Sequence, residues 1–81
     1  MEIKEILKHS QKFRYGLLAR MKSDCRYYLG YGKRNKKHLW ALDEAKQIST
    51  MREIYDSFPD GEKPEWITPE EIDAYAEKMG A

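Results

Sequence analysis

Cys25 together with His9 or His38 supplies the residue types of a thiol nucleophile and its base. That chemistry needs a depressed thiol pKa and a third group to orient the imidazole. Cys25 falls instead on an apolar stripe, which predicts a packed core thiol. Neither histidine has a second ligand at metal-binding spacing. The carboxylate pairs Asp43-Glu44 and Glu70-Glu71 are adjacent on expected helices and therefore point apart. Read as first-turn acids, they complement a helix dipole. No catalytic, cofactor-binding or metal-ligating residue is expected, and the chain reads as a non-enzyme.

A second set of residues suits binding. From Tyr27 to Trp40 the chain holds three tyrosines, two glycines and five basic side chains. Arg26, Lys33, Arg34, Lys36, Lys37 and His38 offer positive charge beside the rings of Tyr27 and Tyr31, the two ingredients of sequence-tolerant nucleic-acid binding. The same residues suit a protein partner. Charge is split along the chain: residues 1–40 hold eleven Lys/Arg against three Asp/Glu, a balance of +8, and residues 41–81 hold four against eleven, a balance of −7. Asp56, Asp60, Glu62 and Glu65 gather near Trp66 and suggest either an acidic face for another protein or pairing with the basic half inside the monomer.

The 81 residues suffice for one domain, near the size at which a single core yields only a few kcal/mol of net stability. A hydrophobic content of 41% with 36% charged residues predicts a thin, helical, highly solvated module. One cysteine excludes an internal disulfide and fits a reducing, cytosolic setting. No apolar run approaches the roughly 20 residues of a membrane span, and Glu2, Lys4 and Glu5 stand where a signal peptide would be apolar. A cytoplasmic location without membrane contact is the expectation.

These side chains must be held by helices, because no period-two alternation persists. Ile3, Ile6 and Leu7 predict a short helix, and Ser10 a cap for the next. Phe13, Leu17, Met21, Cys25 and Leu29 recur at steps of four, flanked by Leu18 and Tyr28, and predict a long helix that tolerates Gly16. Gly30 and Gly32 are expected to stop it in the left-handed conformation. Asn35 is expected to cap a second long helix carrying Leu39, Leu42, Ala45, Ile48, Met51 or Ile54, Tyr55 and Phe58, ended by Pro59-Asp60-Gly61. An extended connector brings in Trp66 and Ile67. Thr68-Pro69-Glu70-Glu71 then predicts a capping box opening a last helix, with Ile72, Tyr75, Ala76 and Met79 inward and fraying at Gly80-Ala81. The fold class is all-α: a small three- to four-helix bundle centred on an antiparallel hairpin joined through a short Gly30–Asn35 connection.

The run Tyr15-Gly16-Leu17-Leu18-Ala19-Arg20-Met21-Lys22-Ser23-Asp24-Cys25-Arg26-Tyr27-Tyr28-Leu29-Gly30-Tyr31-Gly32, continuing through Arg34, Asn35 and His38-Leu39-Trp40-Ala41, resembles the large polyvalent protein-associated domain of the eleventh class. The likeness extends through Lys46-Gln47-Ile48, Met51-Arg52, Tyr55 and Glu62-Lys63-Pro64-Glu65-Trp66 to the final helix. Within it the glycines, Arg34, Asn35 and Trp40 match the family pattern, whereas Lys33, Lys36 and Lys37 stand outside it. The resemblance divides the single helical domain, residues 1–81, into an amino-terminal helical extension, 1–12, and a family-like core, 13–79. It implies a setting in phage, plasmid and conjugative-element proteins within a bacterial host, and it carries no catalytic motif.

The resulting expectation is a non-enzymatic binding module of bacterial mobile elements, with no cofactor, acting on a host or element-encoded protein. Its narrower form is a counter-defence inhibitor of anti-CRISPR or anti-restriction type that blocks a nuclease complex by direct binding. The alternative is a small nucleic-acid-binding accessory protein using the basic, tyrosine-containing turn.

Overall fold

Ser10 accepts a hydrogen bond from the Phe13 amide (3.2 Å) and so starts the longest helix of the computed structural model, which describes residues 2–81. Four helices follow in order: α1, Ile3–Lys8; α2, Gln11–Gly30; α3, Glu44–Asp56; and α4, Pro69–Met79. The fold is all-α, 66% helical, with no strand among the described residues. Met1, the first residue of the expected amino-terminal extension, lies outside the described residues.

The core is one cluster in which α3 contacts each of the other three helices. Ile6 of α1, Leu18, Met21 and Cys25 of α2, and Met51 and Ile54 of α3 are completely shielded from solvent. Phe58, Ile67 and Ile72 close its far side. α2 and α3 run antiparallel, since Arg14 meets Ser57 at one end, Met21 meets Gln47 in the middle and Tyr28 meets Glu44 at the other. The shortest dimension of the molecule is 17 Å, less than two helix diameters, so every helix keeps a solvent face.

The stripe at steps of four is only half right. Leu17, Met21 and Cys25 are buried, but Phe13 is 40% exposed and Leu29 only partly covered. Each step of four advances about 40° around a 3.6-residue helix, so the two ends of such a stripe rotate off opposite edges of the core. Leu18 and Tyr28 complete the buried line instead.

The connection after α2 differs most from expectation. Gly30 and Gly32 lack positive φ; the left-handed positions are Lys33 (φ 53°), Arg34 (φ 59°) and Leu42 (φ 57°). Gly32 is needed for space, because a Cβ there would lie 2.7 Å from His38 Cδ2 and 3.2 Å from the Tyr27 carbonyl oxygen. Asn35 does act as a cap, its side chain accepting from the Lys37 amide (2.9 Å), but it opens a single 3-10 turn, Lys36–His38. The helix proper begins later, where Asp43 accepts from the Lys46 amide (2.8 Å) and Glu44 occupies the first turn. Leu39 is buried from the connection, while Leu42, expected on the helix, is 60% exposed.

Buried Gln47 holds this irregular stretch in place. Its side chain accepts from the Ala41 amide (2.9 Å) and donates to the Met21 carbonyl (3.3 Å), joining connection, α3 and α2. Pro59–Gly61 turns as expected, with Gly61 at φ 89°, and Lys63 donates to the Phe58 carbonyl at the end of α3 (2.8 Å). Thr68 caps α4 by accepting from the Glu71 amide (3.1 Å) with Pro69 at the first position. The capping box is one-sided, since Glu71 reaches across to Lys22 (3.1 Å). The carboxyl end does not fray: Gly80 at φ 74° donates to the Glu77 carbonyl and Ala81 to the Ala76 carbonyl, a Schellman closure.

Candidate functional site

Burial decides the fate of the thiol. Cys25 is fully enclosed, its sulfur 3.7 Å from Met51 Sδ, and desolvation pushes its pKa up to about 11 although nearby Gln47 opposes the shift. A thiol held in that state is not a nucleophile at neutral pH. Among the described residues no three His, Cys, Asp or Glu side chains converge as a metal site would require.

Of the expected binding residues in the last turns of α2 and the connection that follows, the structure brings Arg26, Tyr27, Tyr31 and His38 together. Tyr27 is half exposed and Tyr31 is 83% exposed, their rings 6.2 Å apart and tilted by 43°. His38 stands edge-on to Tyr27 at 4.9 Å, a packing made possible by the bare Cα of Gly32. Arg26, Lys33, Lys36 and Lys37 are all exposed. The ion pairs among the described residues are Lys22–Glu71 and Arg52–Asp73, so none of these four cations is neutralised by a carboxylate within 4.0 Å.

Arg34 behaves differently from its neighbours. Its guanidinium donates to the Lys78 carbonyl in the last turn of α4 (2.7 Å) and lies 5.7 Å from the Tyr28 ring. Held there, it complements the negative end of the α4 dipole and is a structural brace. Arg14 serves α3 in the same way, donating to Ser57 Oγ (2.6 Å) over the Phe58 ring. Lys22 is likewise engaged, contacting the Trp66 carbonyl and the Glu71 carboxylate. Part of the basic half is therefore absorbed by the fold, and part faces solvent. The acidic group Asp56, Asp60, Glu62 and Glu65 is exposed around the Pro59–Gly61 turn.

Two features escape a reading by residue type. A groove of about 570 Å³ runs between α2 and the connection, with Phe13, Leu17 and Trp40 as its apolar walls, Gly16 in its floor and Lys12 and Arg20 at its rim. A smaller one of about 310 Å³ lies further along α2, between Ser23, Arg26, Tyr27 and Tyr31. Trp40 is only partly buried, a wall of the first groove as well as a lid on the core. Its amide is anchored by Asp24 Oδ2 (3.0 Å), whose carboxyl is held above its usual pKa by burial although Arg20 and this amide oppose the shift. The signal available in the sequence was the 3-4-3-4 spacing of Phe13, Gly16, Arg20, Ser23 and Tyr27, which marks a second face of the helix.

No helix among the described residues is long and apolar enough to cross a membrane. Neither a curated protein nor a solved structure matches the chain. A family model does match, over residues 11–79, the whole of α2 through α4. The chain belongs to the family described as large polyvalent protein-associated domain 11.

Proposed function

We propose that this chain is a non-enzymatic binding module of proteins carried by phages, plasmids and conjugative elements, acting by direct contact with a protein partner. The observation that carries this reading is the presence of exposed rings and unpaired cations together on α2 and the connection that follows it. Phe13, Tyr27 and Tyr31 are each at least 40% exposed, and Arg26, Lys33, Lys36 and Lys37 take part in no ion pair within 4.0 Å. Aromatic residues and arginine are the side chains most enriched where proteins meet, and exposed clusters of them are unusual on a surface that only faces water. Membership of the family supports the mobile-element setting.

In its narrower form the module is a counter-defence inhibitor, binding a nuclease complex of restriction or CRISPR type at a surface that normally receives nucleic acid. Such a partner is itself cationic there, and the exposed acids Asp56, Asp60, Glu62 and Glu65 would serve that contact. The test is to add the purified chain to restriction and CRISPR effector complexes and measure cleavage and co-purification. Inhibition with recovery of a nuclease subunit supports the inhibitor; unaltered cleavage with unaltered phage and plasmid entry removes it.

A second reading, direct nucleic-acid binding, is favoured by Tyr31, whose ring is open for stacking among Lys33, Lys36 and Lys37. Several phosphate contacts would give a dissociation constant tighter than about 0.1 mM for a generic oligonucleotide at low salt, falling steeply as salt rises. Weaker binding eliminates this reading.

A further inference from the structure

We infer that the outward face of α2, from Phe13 to Tyr27, is a docking groove for an acidic amphipathic helix of the partner protein; this rests on the protein-binding reading above and specifies its surface. Phe13, Gly16, Arg20, Ser23 and Tyr27 are separated by three, four, three and four residues, so they form one line along the helix, on the side away from buried Leu18, Met21 and Cys25. Large and small alternate along it. Phe13, Arg20 and Tyr27 recur every seven residues, with Gly16 and Ser23 as the gaps between them. This is the relief into which the side chains of a second helix insert.

Gly16 gives the line its direction. It lies inside α2 with no left-handed φ, and a Cβ built on it meets nothing within 4 Å. Neither backbone conformation nor internal packing requires glycine, although glycine is among the poorest helix formers. The missing side chain serves something outside the chain, because it leaves the floor of the larger groove open between Phe13, Leu17 and Trp40. The smaller groove beside Ser23 and Tyr27 continues the same line. Phe13 to Tyr27 spans about 21 Å, the length of roughly four helical turns.

The charges select the occupant. Lys12, Arg20 and Arg26 rim the two grooves and none belongs to an ion pair. Asp24, the acid nearest on α2, accepts from the Trp40 amide and feels the Arg20 charge, but forms no ion pair with it within 4.0 Å. A second copy presenting the same face would set Arg20 and Arg26 against their like, which opposes a symmetric dimer. An apolar floor has no use for a phosphate backbone. A helix with leucines along one side and glutamates at its flanks satisfies both floor and rim.

The test uses the whole chain and a synthetic helical peptide of about 16 residues, with leucines at 3-4 spacing and flanking glutamates, read by fluorescence anisotropy. Binding is expected at tens of micromolar, about tenfold or more tighter than for a scrambled peptide of the same composition. Gly16→Trp, whose side chain would enter the open groove, is expected to reduce affinity by about tenfold or more with the circular dichroism and Tm retained. Arg20→Glu is expected to shift preference toward a lysine-flanked version of the peptide, a readout independent of how Gly16→Trp folds. The inference is overturned if the scrambled peptide or an oligothymidylate binds as well, if neither variant changes the affinity, or if sedimentation shows a dimer that Gly16→Trp dissolves. Capture of a natural partner that survives Gly16→Trp would overturn this groove while leaving the binding module standing. Peptide binding at the groove by a chain that inhibits no defence nuclease would do the reverse to the inhibitor.

Discussion

The Tyr28 hydroxyl donates a 2.7 Å hydrogen bond to Glu44 Oε2, tying the last turn of α2 to the first turn of α3 across sixteen residues of chain. The bond and the first-turn backbone amide hold the Glu44 carboxyl below its usual 4.5, while the same bond, followed by burial, holds the Tyr28 hydroxyl above its usual 10.0. A depressed acid stabilises the fold above its unfolded pKa and loses that contribution as pH falls through the folded value. A raised phenol contributes below its unfolded pKa and loses the contribution as pH rises through the folded one. Tyr28→Phe should therefore melt a few degrees below the parent at neutral pH, with the gap narrowing below about pH 4.5 and again above about pH 10. Thermal melts of both proteins across that range provide the check.

Asp24 carries the opposite sign. Its carboxyl is raised, so its ionisation opposes folding as pH climbs through the folded value, yet its oxygen anchors the Trp40 amide. Asp24→Asn keeps an acceptor and removes the charge, and is expected to melt at least as high as the parent at pH 7, with the advantage gone below the usual carboxylate value of 3.8. Asp24→Ala, which leaves the amide unpaired, should melt lower at both pH values.

Gly16→Ala fills open space on a helix. It should raise stability by about 1 kcal/mol through helix propensity and reduced unfolded-state entropy. The corresponding increase in Tm is roughly 4 to 8 °C for a domain of this size. A drop in Tm would show that the groove floor is more crowded than the structure has it.

Gly32→Ala should do the reverse, because its new methyl group meets His38 and Tyr27. The expected loss is about 1 to 3 kcal/mol, the usual range for overpacking. His38→Ala in the same chain should recover a measurable part of it, and urea titration of the four proteins in the cycle reads the coupling directly.

What could be read in advance was whatever a few neighbouring residues decide by themselves. Ser10, Thr68 with Pro69, and the Pro59–Gly61 turn are local signals, and each stands where its chemistry put it. The connection between α2 and α3 escapes the periodicity because Leu39 and Leu42 continue the helical spacing without being helical. Leu39 is buried from a non-helical position, and Asp43 caps the helix that Asn35 had been expected to open. Charge was legible as quantity and not as availability: Arg34 and Lys36 look alike in sequence, yet only contact with the end of α4 removes Arg34 from the free surface. Phe13 fits the core stripe by type yet stands 40% exposed, since apolarity alone does not say which side of a helix faces a neighbour.

The left-handed Lys33, Arg34 and Leu42 enclose a segment in which the 3-10 turn buries no side chain. Residues with a Cβ hold that conformation at an energetic cost, and the anchors that offset it, buried Leu39, His38 against Tyr27 and Arg34 on the Lys78 carbonyl, leave Lys33, Lys36 and Lys37 exposed. Segments of this kind open at a small fraction of the global unfolding free energy. Amides from Lys33 to His38 should accordingly exchange with solvent well before those of Leu18 to Cys25. If that exchange pattern holds, Lys33, Lys36 and Lys37 sit on a segment softer than the helix beside it, while Arg34 stays tied to α4.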